Sequence, residues 1–325
     1  MNVGLDLGYS HVKLCSGDRS AHFPSVVGTP DRARFSLNGT DRDILLEAPA
    51  QVLVGEGAIT QSRFANRRED RGWIESEEYY HLFLAALTEA TRASAVDIFL
   101  VTGLPVAFYA DRDSLQARLS GEHRAQRENR RAQSFRVAGC RVIPQPFGAL
   151  LSVALDDRGR IADQDLAGGT VGVIDVGGKT TNLLSVRRLA ETGRETASVS
   201  VGAWDAVRAV RRYLDDVCPN LELRDHAVID AIRAGSVLYY GQPVDLTKVI
   251  DEALAQMAEQ VISEATQLWN GGAHLAAVLV AGGGAHLLAG HITRHFRHAR
   301  PVERPEFANA LGYWKLAQRF GKTES

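Results

Sequence analysis

Apolar and polar positions along the 325-residue chain change period several times, and each change marks an element. Val3-Gly4-Leu5-Asp6-Leu7 and His11-Val12-Lys13-Leu14-Cys15 read as two strands joined by a turn at Gly8-Tyr9-Ser10. From about 21 to 71, short β runs such as residues 50–55 alternate with Gly, Asp and Pro, which predicts a small irregular insertion. Leu82, Leu84, Ala85 and Leu87 fall at helical spacing and predict a helix over about 77–93. Residues 96–102 read as a buried strand that ends at Gly103-Leu104-Pro105. Beyond a charged stretch at 111–131, residues 134–137 and 140–143 predict a hairpin turning at Ala138-Gly139, followed by a short helix over 148–155.

The second half starts over. Residues 170–175 predict a strand, Val176-Gly177-Gly178-Lys179-Thr180 a turn, and 181–186 a second strand, repeating the strand–Asp–Gly turn–strand unit of the N-terminus. Two copies of one such unit about a domain apart imply an internal duplication. Helices are expected at about 204–216, 224–234 and 249–269, a strand at 276–281 closed by Gly282-Gly283-Gly284, and a last helix from near Pro305 through the 310–320 region. β-Hairpins and helices repeated twice predict an α/β protein of two related domains. The expected division is 1–149 plus 306–325 for the first and 150–305 for the second.

Five constellations carry candidate chemistry. In the first, Asp6 ends a strand and Gly8, Tyr9, Ser10 and Lys13 follow it, so a carboxylate, turn N–H groups, a hydroxyl and a cation gather at one hairpin tip. Phosphates need such donors, and Mg²⁺ needs a hard oxygen ligand nearby. In the second, Asp175, Gly177, Gly178, Lys179 and Thr180 repeat the arrangement with a richer turn. Either hairpin alone is an ordinary Asp–Gly turn. Neither has the glycine, lysine and hydroxyl spacing of a P-loop. As a pair they suit a phosphate chain gripped from two sides. The third is Gly282, Gly283 and Gly284 after an apolar strand, where backbone can approach a bulky ligand closely. The fourth is Pro144-Gln145-Pro146, whose prolines hold Gln145 in one pose, suited to orienting a water for attack on a phosphoryl group. The fifth is Phe307-Ala308-Asn309-Ala310-Leu311-Gly312, small residues that allow a helix to pack tightly.

Taken in order along the chain (Asp6, Gln145, Asp175, Gly282 and Phe307 onward), the five resemble the phosphate-one, connect-one, phosphate-two, adenosine and connect-two motifs of the actin, sugar-kinase and chaperone ATPase superfamily, and they span almost the whole chain. The segment 102–105 with 109–113, the approach to Pro144-Gln145 and the segment 305–310 resemble plasmid-segregation proteins of the ParM/StbA type and their archaeal relatives. The resemblance implies a duplicated actin-like, ribonuclease H-like fold with a nucleotide cleft between domains. It implies ATP (GTP being the alternative) with Mg²⁺ held through water by Asp6 and Asp175. Phosphate contacts would come from Gly8, Tyr9, Ser10, Lys13, Gly177, Gly178, Lys179 and Thr180, and Gly282 to Gly284 would line the adenosine pocket. Gln145 stands where ParM-like proteins commonly carry Glu and eukaryotic actin Gln, and would place the attacking water. Asn182 departs from the Asp often found there and receives no catalytic role. The implied function is an ATPase that polymerises into dynamic filaments, for DNA segregation through an adaptor. The alternative is a small-molecule kinase of the same superfamily, for which Asp97 and Asp111 are the nearest base candidates, in no kinase-like motif. A chaperone-type ATPase ranks third, since no peptide-binding stretch follows the two domains.

Composition changes this picture little. The formal net charge is −2, which argues neither for direct nucleic-acid binding nor for membrane attachment. Three widely spaced cysteines suggest reduced thiols in a cytoplasmic protein rather than a disulfide framework or a metal cluster. No signal peptide is read at the N-terminus, and the most apolar stretch, 275–289, is too short and too broken to span a bilayer. The basic run of Arg118, Arg124, Arg127, Arg130 and Arg131 is read as a solvated helix face. His291, His295 and His298 sit at helical spacing without a neighbouring carboxylate or Cys, and are read as part of a surface helix.

Overall fold

The computed structural model describes residues 1–31, 44–66 and 71–321. These form two compact units, Met1–Gly168 with Phe307–Ser325, and Gly169–Glu306.

The first unit is built on one mixed sheet. Its strands are β1 (Asn2–Leu7), β2 (His11–Cys15), β3 (Ser20–Pro24), β4 (Val27–Gly28), β5 (Ile44–Ala48), β6 (Val52–Val54), β7 (Ala65–Asn66), β8 (Ala95–Leu104), β9 (Gly121–Arg127) and β10 (Gln133–Pro144). They lie in the order β3-β2-β1-β8-β10-β9-β5-β6-β4-β7. β1 pairs antiparallel with β2 and parallel with β8. Helix α1 (Glu56–Gln61) lies within the 21–71 stretch. That stretch was expected to be a small irregular insertion. Its described strands instead extend the main sheet, while 32–43 and 67–70 fall outside the described residues.

One face of the sheet is covered by α2 (Glu77–Ala90), capped at its start by Ser76, whose side chain accepts from the Tyr79 N–H. Leu82, Leu84, Ala85, Ala86 and Leu87 are all fully buried there, with Val3, Leu5, Leu14, Leu100 and Phe135 from the strands. The other face carries α10 (Ala308–Phe320), which packs on β1 and β8 and against α4 (Gln145–Ala154). Small residues permit this closeness: a Cβ on Gly4 would collide with the Ala310 carbonyl, and one on Gly312 with the Gly148 carbonyl. Helices α3 (Arg112–Leu119) and α5 (Gln164–Gly168) complete the unit.

Two sequence expectations are corrected here. Residues 134–143 are not a hairpin. They lie in the single strand β10, with a bulge between Val137 and Gly139, and its antiparallel partner is β9. The basic run is not a helix face either. Arg118 lies on α3 and donates to the Ile74 and Ser76 carbonyls at 2.5 and 2.7 Å, whereas Arg124 and Arg127 lie on β9. Arg127 is buried and ion-paired with Glu89.

The second unit repeats the plan. Its strands are β11 (Thr170–Val176), β12 (Thr181–Arg187), β13 (Ala190–Glu191), β14 (Ala197–Val199), β15 (Ser236–Tyr239), β16 (Gln242–Asp245), β17 (Ala277–Ala281) and β18 (Ala299–Pro301). The main sheet runs β13-β12-β11-β17-β18, with β14 also on β12; β11 is antiparallel to β12 and parallel to β17. A hairpin strand at the centre, its antiparallel partner on one side and a parallel strand on the other thus occur in both units. Helices α6 (Ala203–Val217), α7 (Asp225–Ala234), α8 (Thr247–Leu268) and α9 (Ala285–His295) pack around it. Ile174, Val261, Ala265, Val278 and Leu288 form one fully buried core. The β15–β16 hairpin closes a second core with α6 and α7 around Val210, Val228 and Leu246. Among the described residues no helix is long and apolar enough to cross a membrane.

Candidate functional site

In the first unit β1 delivers Asp6 to the mouth of the β1–β2 turn, where its carboxylate is buried. Two side chains hold it. Lys13 Nζ on β2 lies 3.3 Å from Oδ2, and Gln145 Nε2 donates to Oδ1 at 3.1 Å. Lys13 and Asp6 are register partners across the hairpin, so the strand pairing itself makes the ion pair. Gln145 is the first residue of α4, entered through Pro144, with Pro146 in the first turn where its missing N–H costs nothing. Its backbone carbonyl accepts from the Tyr313 hydroxyl at 3.1 Å. Its side-chain amide is anchored through the nitrogen, and among the described residues Oε1 has no partner.

The turn between the strands is braced from outside. The Gly8 N–H donates to the His11 carbonyl at 3.2 Å, the Ser25 hydroxyl donates to the Gly8 carbonyl at 2.6 Å, and the Ser25 N–H to the Ser10 carbonyl at 2.9 Å. Ser10 Oγ lies 2.8 Å from His11 Nδ1. The Tyr9 ring, between Gly8 and Ser10, lies 6.1 Å from that of Trp73.

In the second unit β11 delivers Asp175 to the same place in its hairpin, again buried. The Gly177 N–H donates to the Thr180 carbonyl at 2.9 Å and closes the turn. Helix α6 starts against this turn: the Ala203 N–H donates to the Gly177 carbonyl at 3.0 Å and the Trp204 N–H to the Gly178 carbonyl at 2.9 Å. Two of the free N–H groups that open a helix are satisfied this way. Asp205 accepts from the Gly202 N–H at 2.9 Å, fixing the entry. Among the described residues the N–H groups of Ser10 and Gly178 donate to no carbonyl. Lys179 stands beside Gly178 and Thr180 at the tip of this turn.

The glycine triplet joins β17 to α9. Asp175 pairs with Ala281, so Gly282 passes directly against the aspartate; its φ is +89°. A Cβ there would collide with Asp175 Oδ1 and the Val176 carbonyl. The Gly284 N–H donates to the Val176 carbonyl at 2.9 Å, whereas a Cβ on Gly283 would meet nothing within 4 Å. The expected residues therefore gather as two clusters. Asp6, Gly8, Tyr9, Ser10, Lys13 and Gln145 come together in the first unit. Asp175, Gly177, Gly178, Lys179, Thr180 and Gly282 to Gly284 come together in the second. Asn182 is buried beside them and accepts from the Ser198 hydroxyl at 2.8 Å.

Sequence reasoning missed the supports: Ser25, Tyr313 and the seat of α6 on the Gly177-Gly178 turn. Ser25 and Tyr313 lie 17 and 168 residues from their partners, beyond any local pattern. Gly202 ahead of an amphipathic helix was the one readable signal. Among the described residues no group of three or more His, Cys, Asp or Glu could hold a metal by itself.

Residues 4–148 match the family model described as "Actin like proteins N terminal domain", and residues 173–294 match "Archaeal actin homologue MreB-like, C-terminal". No curated protein matches the chain. Among solved structures, it is similar to a 15-stranded ParM filament from Clostridium botulinum, with a TM-score of 0.83 and 22% identity over 98% of this chain and 99% of that one. It is similar to Ta0583, an archaeal actin homolog in complex with ADP, with a TM-score of 0.81 and 21% identity over 98% and 99%. It is also similar to the Alp12 filament structure, with a TM-score of 0.71 and 15% identity over 97% of each chain. At these identities the likeness to the solved structures is one of fold.

Proposed function

The chain belongs to the actin-like proteins, and on that premise we propose that it binds and hydrolyses Mg²⁺-ATP and polymerises into dynamic filaments. DNA segregation through an adaptor is the role this reading favours. The observation that carries it is the buried Asp6–Lys13–Gln145 cluster at one glycine turn, matched by Asp175 at a second turn of the same topology.

Each part of the clusters suits a piece of the chemistry. The backbone donors of the two turns, with Lys13 and Lys179, would contact phosphate oxygens. Gly283, open around its Cα, would leave room for the nucleoside. Asp6 has both oxygens engaged by Lys13 and Gln145, which suits an outer-sphere partner of hydrated Mg²⁺ better than a direct ligand. Asp175 would play the same part from the second unit. The ion would neutralise charge on the phosphates. Gln145 is the residue for the water: Asp6 holds its amide nitrogen, which leaves Oε1 to accept from a water aligned for in-line attack on the γ-phosphate. A kinase would need in addition a substrate base, and Asp97 is instead an exposed partner of Arg136 at 3.7 Å.

The test is light scattering after addition of Mg²⁺-ATP, with phosphate release followed in the same cuvette. The expected result is scattering that rises above a critical protein concentration and decays as phosphate appears. Phosphate release with flat scattering would replace this reading by a non-polymerising ATPase or a kinase lacking its substrate.

A further inference from the structure

The β15–β16 hairpin ends in a conformation its sequence does not favour. Tyr240 and Gly241 form its two-residue turn, with φ of +47° and +78°. Such turns prefer Asn, Asp or Gly at the first position, because a bulky side chain at positive φ is strained. Here a tyrosine stands there, 83% exposed, two residues after Leu238 at 67%. The inner residues Val237, Tyr239 and Val244 pack on α6 and α7, and the Tyr239 hydroxyl donates to the Pro219 carbonyl at 3.0 Å. The hairpin is therefore firmly mounted while its apolar tip faces outward.

A groove of about 570 Å³ lies elsewhere on the same unit, between α8 and α9. Its floor includes Ala258 and Ile262, and its walls include Glu259, Thr266, His291 and His295. The hairpin belongs to the core at the N-terminal end of α8, and the groove to its middle and C-terminal half. A helix of 22 residues is about 33 Å long. A tip at one end cannot turn back into a groove along the other.

The charges beside the tip and at the α9 end of the groove are opposite in sign. Residues 211–245 carry six carboxylates against four arginines, and exposed Asp215, Asp216 and Glu222 have no ion-pair partner among the described residues. Residues 291–304, along and after the end of α9, carry four arginines and three histidines against one glutamate, while α8 carries Glu259, in the groove wall, and Glu264. Arg294, Arg297 and Arg300 are exposed there, with no carboxylate partner among the described residues.

We propose that the Leu238–Tyr240 tip of one copy seats in the α8–α9 groove of the next, with the acidic flank of the tip facing the basic flank of the groove. Because the two surfaces differ and lie apart on one unit, the contact is heterologous and repeats head to tail, giving an open chain rather than a closed pair. The apolar tip supplies burial and the flanks set orientation. This rests on the filament reading above and assigns its contact.

The experiment uses two full-length variants, Leu238→Ser with Tyr240→Ser, and Arg294→Glu with Arg297→Glu. Pelleting and sedimentation velocity with Mg²⁺-ATP give the critical concentration, while fluorescent-nucleotide binding and the melting curve report the fold. Each variant is expected to raise the critical concentration at least tenfold with nucleotide binding intact. An equimolar mixture of the two is expected to stop at dimers, since one good tip meets one good groove. Wild-type critical concentrations in both variants, or a mixture that stays monomeric, would overturn the contact and leave the filament reading standing. A wild-type chain that never assembles would end both.

Discussion

At the scale of single residues the candidate site rests on a few atoms whose positions follow from register. Lys13 opposes Asp6 because the strands pair Leu5 with Leu14, and Gly282 meets Asp175 because β11 pairs Asp175 with Ala281. The types and spacing of these residues were legible in the sequence, since Asp at a strand end before glycine is a local pattern. The grip on Gln145 was not, since it depends on Asp6, 139 residues away. Gln145→Ala should lower the phosphate-release rate about 100-fold, the scale expected when a reacting water loses its alignment, with nucleotide affinity little changed. Loss of binding in a fluorescence titration would refute the water-positioning role. Asp175→Ala should abolish Mg²⁺-dependent hydrolysis, and turnover at the wild-type rate would reject the site assignment as a whole.

At the scale of elements, local pattern succeeded where the period was long and failed where tertiary pairing decided. Helices α2 and α8 were read over nearly their observed spans. The bulge at Ala138 was not: a small residue before glycine looks like a turn, yet parallel pairing with β8 carries the strand through it. The basic run misled for a related reason. Charge alone suggested exposure, but β9 alternates, so His123 and Arg127 face inward beneath α2. His123 has uncharged hydrogen-bond partners: Nε2 lies 3.0 Å from the Leu119 carbonyl and Nδ1 3.1 Å from the Tyr80 hydroxyl. Burial holds its pKa, and that of His81, below the ordinary value of 6.5. The folded chain then binds fewer protons than the unfolded one just below that value, so stability falls as pH falls through it. The melting temperature should drop between pH 7.5 and 5.5, and His123→Gln should flatten the drop. An unchanged slope in that variant would assign the effect elsewhere. The α4–α10 contact gives a second prediction. Gly312→Ala pushes a methyl onto the Gly148 carbonyl and should cost about 1–3 kcal/mol, the usual range for overpacking. Denaturant unfolding at wild-type stability would mean that the helices can part without penalty.

At the scale of the whole molecule the duplication was the most legible feature, because two hairpins with one grammar are visible without any structure. The β9-β5-β6-β4-β7 extension of the first sheet and the β15–β16 hairpin of the second unit depart from the shared plan. Strands this short leave little periodicity to read, so β runs were read within 21–71 but not their place in the sheet, and the β15–β16 hairpin was not read at all. The hairpin matters most for assembly, because a net charge of −2 hides an acidic flank and a basic flank that nearly cancel. Contacts between such flanks are screened with a Debye length of about 10 Å at 0.1 M salt and 3 Å at 1 M, whereas burial of Leu238 and Tyr240 is not weakened by salt in the same way. Raising NaCl from 0.05 to 0.5 M should therefore increase the critical concentration of the wild type severalfold, by pelleting at fixed nucleotide. In the Arg294→Glu, Arg297→Glu variant the same addition should leave the critical concentration level or lower it, because salt then screens a repulsion. A parallel rise in both proteins would show that the attraction between copies resides in charges other than these two flanks.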